Sequence, residues 1–157
     1  MNITVRSATP EDAKIIAQLS TEFDDYLRSL GDQNPKIFDI PTYLRDGFGV
    51  EPAFSGLVAE ANGEVVGYLL YHPGYDIDRG GRVLYIFDLF VREGARRKGA
   101  GRALMEKVAD ICRRAGGYEL IWSMYEPNKL AKAFYEHLGA QYLPEDMVYM
   151  HLPVKKN

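Results

Sequence analysis

The chain has 157 residues, of which 46% are hydrophobic and 26% charged, and its formal net charge at pH 7 is −3. This composition is typical of a soluble globular protein, and the acidic balance argues against a nucleic-acid partner, because nucleic-acid-binding domains are usually basic. No apolar run approaches the roughly 20 residues of a membrane span, no secretion signal is evident, and the one cysteine, Cys112, excludes an intrachain disulfide. We therefore expect one cytoplasmic domain over residues 1–157, without a membrane partner.

The first third of the chain predicts one strand and two helices. Ile3 and Val5 alternate with polar residues, as in a half-buried strand. The segment Thr9–Asp12 has the pattern of a helix start: a threonine N-cap, a proline at the first helical position and an aspartate that can reach back to the cap. Apolar residues then recur at helical spacing until Gly31, which favours a helix end. The predicted elements are a strand over 2–8, a helix ending at Leu30, a loop over 32–40 and a short helix over 41–46.

The middle of the chain predicts three strands. Asn62-Gly63 lies between two apolar-rich runs and is a strong hairpin signal. The polar segment Pro73–Gly81, with its proline and glycines, predicts a turn. The apolar run Val83–Val91, interrupted by Asp88, predicts a buried strand. The predicted strands cover residues 55–61, 64–72 and 83–91.

The last third predicts two helices and three strands. An apolar stripe at helical spacing marks a helix over Ala100–Ala115, and the strand–helix–strand unit around it should be parallel with a right-handed crossover. The other predicted elements are a strand over 119–124, a helix over 128–138 and a terminal strand pair over 140–143 and 147–152. We predict an α/β fold: a mixed, largely antiparallel twisted sheet of about six or seven strands with a central parallel pair, flanked by about four helices.

A basic segment with two glycines, Arg96–Arg102, joins the buried strand to the third helix. A helix N-terminus offers free backbone N–H groups and the positive end of the helix dipole, which favour a phosphate. Gly99 and Gly101 have no Cβ and would let a phosphate approach the backbone. Charge-assisted donors would come from Arg96, Arg97, Lys98 and Arg102. The segment predicts a phosphate-binding loop; the alternative is a solvated basic turn.

Two spaced motifs resemble those of the GNAT family of N-acetyltransferases. The basic loop, Arg96-x-x-Gly99-x-Gly101, resembles the family's Q/R-x-x-G-x-G/A motif. The second motif of the family is similar to Asn128-x-x-Ala131-x-x-Phe134-Tyr135-x-x-x-Gly139-Ala140. Within the family, the chain is most similar to the diamine (spermidine/spermine) and thialysine acetyltransferases. The segments that carry this narrower similarity are Arg6–Asp12, Asp46–Gly49, Leu57–Glu60, Tyr85–Val91 and Glu126–Asn128.

The resemblance implies a GNAT-type fold, acetyl-CoA as cosubstrate and no metal. It implies that the backbone of residues 97–102 holds the pyrophosphate and that Asn128 hydrogen-bonds the pantetheine arm. Main-chain groups of the central strand would bind the arm and the acetyl carbonyl, where an N–H would stabilise the developing oxyanion. The implied acetyl-CoA-binding residues are Leu89, Phe90, Val91, Arg96, Arg97, Lys98, Gly99, Ala100, Gly101, Arg102, Asn128, Ala131 and Tyr135.

The resemblance also implies an amine acceptor, which must lose a proton before it attacks. An alkylammonium with a pKa of ~10.4 costs roughly 4.6 kcal/mol to deprotonate at pH 7, so a base is needed. Phe87 occupies the position where related diamine acetyltransferases have a glutamate, which leaves Asp88 as the candidate base. Tyr135 matches the family position that protonates the leaving thiolate. The structural alternatives are an Asp88 tied to a backbone N–H or an arginine, and a Tyr135 that only packs.

The residues expected to bind the acceptor match the family pattern in part. The expected set is Tyr26, Asp76, Phe87, Asp88 and Trp122. Leu27 stands where an acidic residue is expected, whereas Asp78, Glu145 and Asp146 lie near expected acidic positions. Glu126 and Asp76 are alternative bases that would act through water. Cys112 lies on an apolar helix face and predicts packing, which disfavours a covalent acetyl-cysteine.

The sequence thus predicts acetyl transfer to a primary amine of a small cationic substrate, a polyamine, diamine or lysine-like amine, by direct attack in a ternary complex. Two alternatives remain open: a protein lysine or N-terminal acetyltransferase, and a non-catalytic CoA-binding sensor. The resemblance implies a homodimer, with Tyr142, Val148 and Tyr149 as candidate apolar contacts.

Overall fold

The computed structural model describes residues 2–144 and 146–154. Its strands are β1 (Ile3–Ser7), β2 (Ser55–Ala61), β3 (Glu64–Asp76), β4 (Gly81–Val91) and β5 (Gly117–Ile121). Its helices are α1 (Ala13–Ser29), α2 (Ile40–Phe48), α3 (Ala100–Arg114) and α4 (Lys129–His137), with 3-10 turns at Pro10–Asp12 and Glu93–Ala95. No helix in these two ranges is long and apolar enough to cross a bilayer.

The strands form one sheet in the order β1-β2-β3-β4-β5. The first four pair antiparallel, and β4 pairs parallel with β5. This mixed, largely antiparallel sheet with four helices and a parallel pair confirms the predicted fold class.

The predicted terminal strand pair is wrong for the described residues. Residues 140–144 and 146–154 contain no strand, so the described sheet has five strands rather than six or seven. Apolar residues at alternating positions form a strand only where a neighbouring backbone completes the ladder, and the described chain provides none for this segment. Glu145, one of the expected acidic residues, lies outside the described residues.

Two further boundaries differ from the prediction. Pro73–Asp76 was predicted as a turn but continues β3, because β4 is long enough to pair with it down to Gly81. The predicted strand over 119–124 begins at Gly117 and ends at Ile121, so Trp122 lies beyond the sheet. Strand length is set by the pairing partner, which local sequence does not show.

Local signals at the other turns are confirmed. Asp12 accepts from the Thr9 N–H at 2.8 Å, as expected for the helix start. In the hairpin between β2 and β3, Asn62 and Gly63 both have positive φ, 53° and 84°, as a tight two-residue turn requires.

Each face of the sheet carries its own hydrophobic core. Because successive side chains of a strand point to opposite faces, Phe90 of β4 packs under α1 and α2, whereas Leu89 and Val91 pack on the side of α3. The α1/α2 side includes Ile16, Leu19, Tyr43, Val58, Tyr68 and Leu70, and the α3 side includes Leu57, Leu69, Ile86, Leu104 and Val108. Burying each large apolar side chain contributes about 1.5–3 kcal/mol. Residues of β4 are therefore anchored from both sides.

Candidate active site

A cleft opens where β4 and β5 separate. The parallel pairing runs from Arg82 with Gly117 to Tyr85 with Ile121 and then stops, while β4 continues to Val91. Beyond Tyr85, the edge of β4 that faces β5 is free of strand pairing in the described chain.

A β-bulge distorts β4 at this point. Leu70 of β3 pairs with Asp88 and the next residue, Tyr71, pairs with Ile86, so Phe87 is the extra residue. Bulges re-aim side chains and are frequent beside active sites. The bulge leaves Phe87 60% exposed, and the half-buried Asp88 follows it in β4.

The basic loop ends at the N-terminus of α3, beside the cleft. Residues 96–99 form a turn, and outside that turn the structure gives no well-aligned backbone hydrogen bond donated by the N–H groups of residues 97–102 to another described residue. Arg97 (φ 61°) and Gly99 (φ 92°) both have left-handed backbone conformations. A run of free N–H groups at a helix N-terminus is a ready anion site.

Gly99 and Gly101 are each required to be small for a different structural reason. A Cβ on Gly99 would meet nothing within 4 Å, and its positive φ favours glycine. A Cβ on Gly101 would lie 3.0 Å from Cζ of Phe134 in α4. Gly101 therefore permits close packing of α3 on α4, and Gly99 permits the left-handed backbone of the loop. A phosphate-binding role for both glycines stays a prediction.

The cations of the loop do not all point outward. Arg96 donates from Nε to the Val91 carbonyl at 2.8 Å, and its guanidinium lies over the rings of Tyr26 and Phe90, at 5.2 and 5.4 Å from their centroids. Arg96 therefore holds the loop against β4 and α1. The exposed cations are Arg97, Lys98, whose Nζ donates to the Gly94 carbonyl at 2.9 Å, and Arg102.

Asn128 is the N-cap of α4 and is buried. Its Oδ1 accepts from the Ala131 N–H and from the Tyr26 hydroxyl, both at 3.1 Å. Tyr26, expected on the acceptor side, is thus joined to two residues expected to bind acetyl-CoA, Asn128 and Arg96. The structure brings these three together and separates them from Asp76.

Asp88 accepts a hydrogen bond from the buried phenol of Tyr68. The Tyr68 hydroxyl donates to Asp88 Oδ2 at 2.5 Å. Burial raises the pKa of Asp88, while the Tyr68 hydrogen bond and the Lys36 ammonium oppose that rise. Burial raises the pKa of Tyr68 well above its ordinary value, so Tyr68 remains a donor at neutral pH. The predicted tie to a backbone N–H is present in part, since the Leu89 N–H also opposes the rise in the pKa of Asp88, while the side-chain partner is a tyrosine rather than an arginine.

Tyr135 of α4 lies close enough to Asp88 to respond to its charge. Burial, and then the negative charge of Asp88, raise the pKa of Tyr135 far above its ordinary value. The ring packs against Trp122 and Phe134, with centroids 4.8 and 5.2 Å apart. Tyr135 therefore lies beside Trp122, within range of the Asp88 charge.

An aromatic cavity of about 260 Å³ opens beside the bulge. Phe87 and Trp122, both expected acceptor residues, line it together. Its other walls are Tyr85, Ile86, Ser123 and Tyr149. Sequence reasoning missed Tyr85 as a lining residue, although its position two residues before Phe87 was a signal.

Asp76 lies away from this cavity. It ends β3 opposite Gly81, seven residues along β4 from Asp88, which at about 3.3 Å per residue is roughly 20 Å. Its carboxylate accepts from the Tyr118 hydroxyl at 2.6 Å and from the Arg79 N–H at 3.1 Å, and these bonds hold its pKa below the ordinary value. The structure does not bring Asp76 together with Asp88.

Three residues around Asp88 were missed by sequence reasoning: Ser20, Lys36 and Tyr68. Ser20 and Tyr68 have no exposed surface. Their only signal was a polar group at a position where the helix or strand pattern calls for an apolar one.

Comparison with known proteins agrees with this geometry. The sequence pattern of the acetyltransferase (GNAT) family matches residues 17–140. A thialysine N-epsilon-acetyltransferase of Bos taurus is 36% identical over 151 residues, covering 91% of this chain and 86% of the relative. An L-ornithine N5-acetyltransferase of Arabidopsis thaliana is 37% identical over 81 residues, covering 52% of this chain and 36% of that protein.

The fold has solved counterparts. An integron cassette protein from the mobile metagenome of V. cholerae superposes with a TM-score of 0.78 at 24% identity, covering 98% of this chain and 94% of that one. The fold, the loop at α3 and the sequence match define an acyltransferase. The chain belongs to the GNAT family of acetyltransferases, which use acetyl-CoA as cosubstrate.

Proposed function

We propose that this enzyme transfers the acetyl group of acetyl-CoA to the primary amine of a small cationic substrate, with a lysine-like side-chain amine as the favoured acceptor. One observation carries the proposal: the cavity is lined by Phe87, the neighbour of Asp88 in β4, and by Trp122, whose ring packs against Tyr135 at a centroid distance of 4.8 Å. A carboxylate and a phenol beside one cavity are the proton acceptor and donor that amine acetylation needs.

The donor side is built from the loop and the free edge of β4. The N–H groups of residues 97–102 would hold the pyrophosphate, each charge-assisted bond contributing about 1.5–3 kcal/mol, with Arg97, Lys98 and Arg102 adding charge. The main chain of residues 89–91 would bind the pantetheine arm. Asn128 uses Oδ1 for Ala131 and Tyr26, so its amide NH₂ is the group that would reach the arm.

Acetyl-CoA, when bound, supplies an activated thioester. Asp88 takes a proton from the acceptor ammonium, so that the neutral amine attacks the carbonyl directly. Tyr135 would give its proton to the departing thiolate as the carbon–sulfur bond breaks, and would recover one from the amine nitrogen, which loses its second proton when the amide forms. Cys112 is 3% exposed and faces the Glu119 carbonyl at 3.6 Å, which supports direct attack over an acetyl-cysteine.

The aromatic cavity supports a cationic acceptor. Rings attract an alkylammonium through their π faces, and this attraction increases where water is excluded. Phe87, Tyr85 and Trp122 supply such rings. The names of the two relatives point to N-epsilon of thialysine and N5 of L-ornithine, which favours a lysine-like amine over a polyamine.

We also propose a homodimer in the cytoplasm. The described C-terminal segment exposes a run of apolar side chains, including Tyr142 (66% exposed), Val148 (83%) and Tyr149 (90%). A patch of this kind is typical of a protein contact. Light scattering coupled to gel filtration would test it, with a monomer mass contradicting the dimer.

The deciding experiment is acetyl-CoA consumption with thialysine, L-lysine, L-ornithine, spermidine, putrescine and a basic peptide. We expect the highest kcat/KM for one of the three amino acids. A clear preference for the peptide would instead support a protein acetyltransferase. Tight CoA binding without turnover of any amine would overturn the proposal in favour of a sensor.

A further inference from the structure

A chain of hydrogen bonds runs through the interior from Lys36 to Asp88. Lys36 Nζ donates to the Ser20 carbonyl at 3.0 Å and to the Ser20 hydroxyl. Tyr68 donates to Asp88 Oδ2 at 2.5 Å. Ser20 and Tyr68 are both fully buried, and the Ser20 side chain opposes the rise in the pKa of Tyr68, as a hydroxyl that donates to it would. The donors are therefore oriented from the lysine toward the carboxylate.

We propose that Lys36, acting through Ser20 and Tyr68, is a positioning residue that keeps the Asp88 carboxylate ionised and oriented to take the proton of the acceptor amine. This inference rests on the function proposed above. A buried carboxylate is costly unless it is paired, and the Lys36 chain provides both a cation and an oriented donor.

The chain does not carry the substrate proton away. A lysine ammonium has three N–H donors and no acceptor, so it cannot accept a proton from Ser20. When Asp88 acts, an N–H bond of the substrate ammonium breaks and an O–H bond forms on Asp88. Asp88 then releases this proton to water at the open cleft. The role of Lys36 is therefore electrostatic and orienting.

Among the described residues, two titratable groups act on Asp88: Tyr68 of β3 and Lys36 of the segment between α1 and α2. Asp88 acts in turn on Tyr135 of α4. The Tyr68 hydrogen bond, the Lys36 charge and the Leu89 N–H all favour the ionised carboxylate, and of these only Lys36 carries a charge.

The first test is the pH profile of kcat/KM for Lys36→Met. Loss of the cation should move the acidic limb to higher pH, because the carboxylate then protonates more easily. At pH values below the limb, kcat/KM should fall several-fold, and the loss should shrink on the plateau. Lys36→Arg should restore the limb, and Lys107→Met, an exposed lysine on α3, should leave it unchanged. An unmoved limb in Lys36→Met would overturn the proposal.

The second test asks whether Lys36 acts on the acidic limb through the hydroxyls of Ser20 and Tyr68. Tyr68→Phe should move the limb in the same direction, and the double variant with Lys36→Met should move it little further. Fully additive shifts would show that the lysine acts independently of the chain and would overturn the relay. Ser20→Ala provides the same comparison if Tyr68→Phe does not fold.

A third measurement separates this inference from the proposed function. NMR titration of the ¹³C-labelled Asp88 carboxyl in the enzyme without ligands requires no turnover. A higher titration midpoint in Lys36→Met than in wild type supports the relay even if no amine is acetylated. Equal midpoints overturn the relay even if amines are acetylated.

Discussion

Gly101 in the first turn of α3 faces the ring of Phe134 in α4, and a Cβ at that position would lie 3.0 Å from Cζ. The contact joins the loop with free N–H groups to the helix that carries Tyr135. It couples the proposed donor site to the proposed acid through packing alone.

The two loop glycines should respond differently to alanine. Gly101→Ala should cost about 1–3 kcal/mol of unfolding free energy through overpacking, and Phe134→Leu in the same chain should recover part of it. Gly99→Ala should cost about 1–2 kcal/mol through its positive φ and should weaken CoA binding. Urea denaturation and calorimetric titration with CoA measure both effects. A double variant no more stable than Gly101→Ala would contradict the packing explanation.

Asp88→Asn should abolish most activity yet stabilise the protein at pH 7. The pKa of Asp88 is raised in the folded state, so the folded protein binds this proton more tightly than the unfolded chain. The resulting penalty is absent below the ordinary aspartate pKa of about 3.9 and develops as pH rises through the folded value. The melting temperatures of wild type and variant should therefore converge as pH falls toward 4. Asp76→Asn is the matched control with the opposite sign, because the pKa of Asp76 is lowered.

Tyr135→Phe should lower kcat by about 10²–10⁴-fold, the usual contribution of a positioned acid, with little change in the Kd for CoA. Its raised pKa keeps the phenol protonated across the neutral range, as an acid requires. Steady-state kinetics and CoA titration provide the measurements, and Tyr75→Phe, a tyrosine of β3 that is 56% exposed, is the control. An unchanged kcat would show that Tyr135 is not the acid and that its role is to pack against Trp122.

Asp12→Ala should destabilise the N-terminal region at neutral pH. Asp12 accepts from two nitrogens of Arg6 at 2.8 and 2.9 Å and from the Thr9 N–H. Losing bonds to a charged group costs about 1.5–3 kcal/mol, nearer the lower figure because Arg6 is 42% exposed.

The Asp12 effect should depend on pH with a definite sign. The Arg6 hydrogen bonds lower the pKa of Asp12, so its stabilisation is present above pH ~3.9 and is lost as pH falls through the folded value. Urea denaturation at pH 7 and in the acid range measures it. Asp46→Ala, an exposed pair with Arg45, should show little change at either pH. A loss from Asp12→Ala that is equal at both pH values would refute the ionic explanation.

Local signals decided much of the fold in advance. The Thr9–Asp12 cap, the Asn62-Gly63 turn and the helical spacing of apolar residues each act within a few residues, so the order of the elements could be predicted from them. The basic loop is also local, because a helix N-terminus presents its N–H groups wherever the helix packs.

The partners of Asp88 could not be predicted from local sequence signals. Ser20, Lys36 and Tyr68 come from a helix, a loop and a strand, and only the packing of α1 on the sheet joins them into one hydrogen-bond chain. The end of β5 at Ile121, which opens the cleft, was also set by pairing between distant segments.

The sequence by itself thus determined the family and the order of most helices and strands and predicted the phosphate-binding loop, since these depend on short-range geometry. The tertiary structure decided that Gly101 packs against Phe134, that Asp76 lies far from Asp88, and that the half-buried Lys36 donates to Ser20 in α1. These depend on which side chains share the interior, where low dielectric makes each pairing matter.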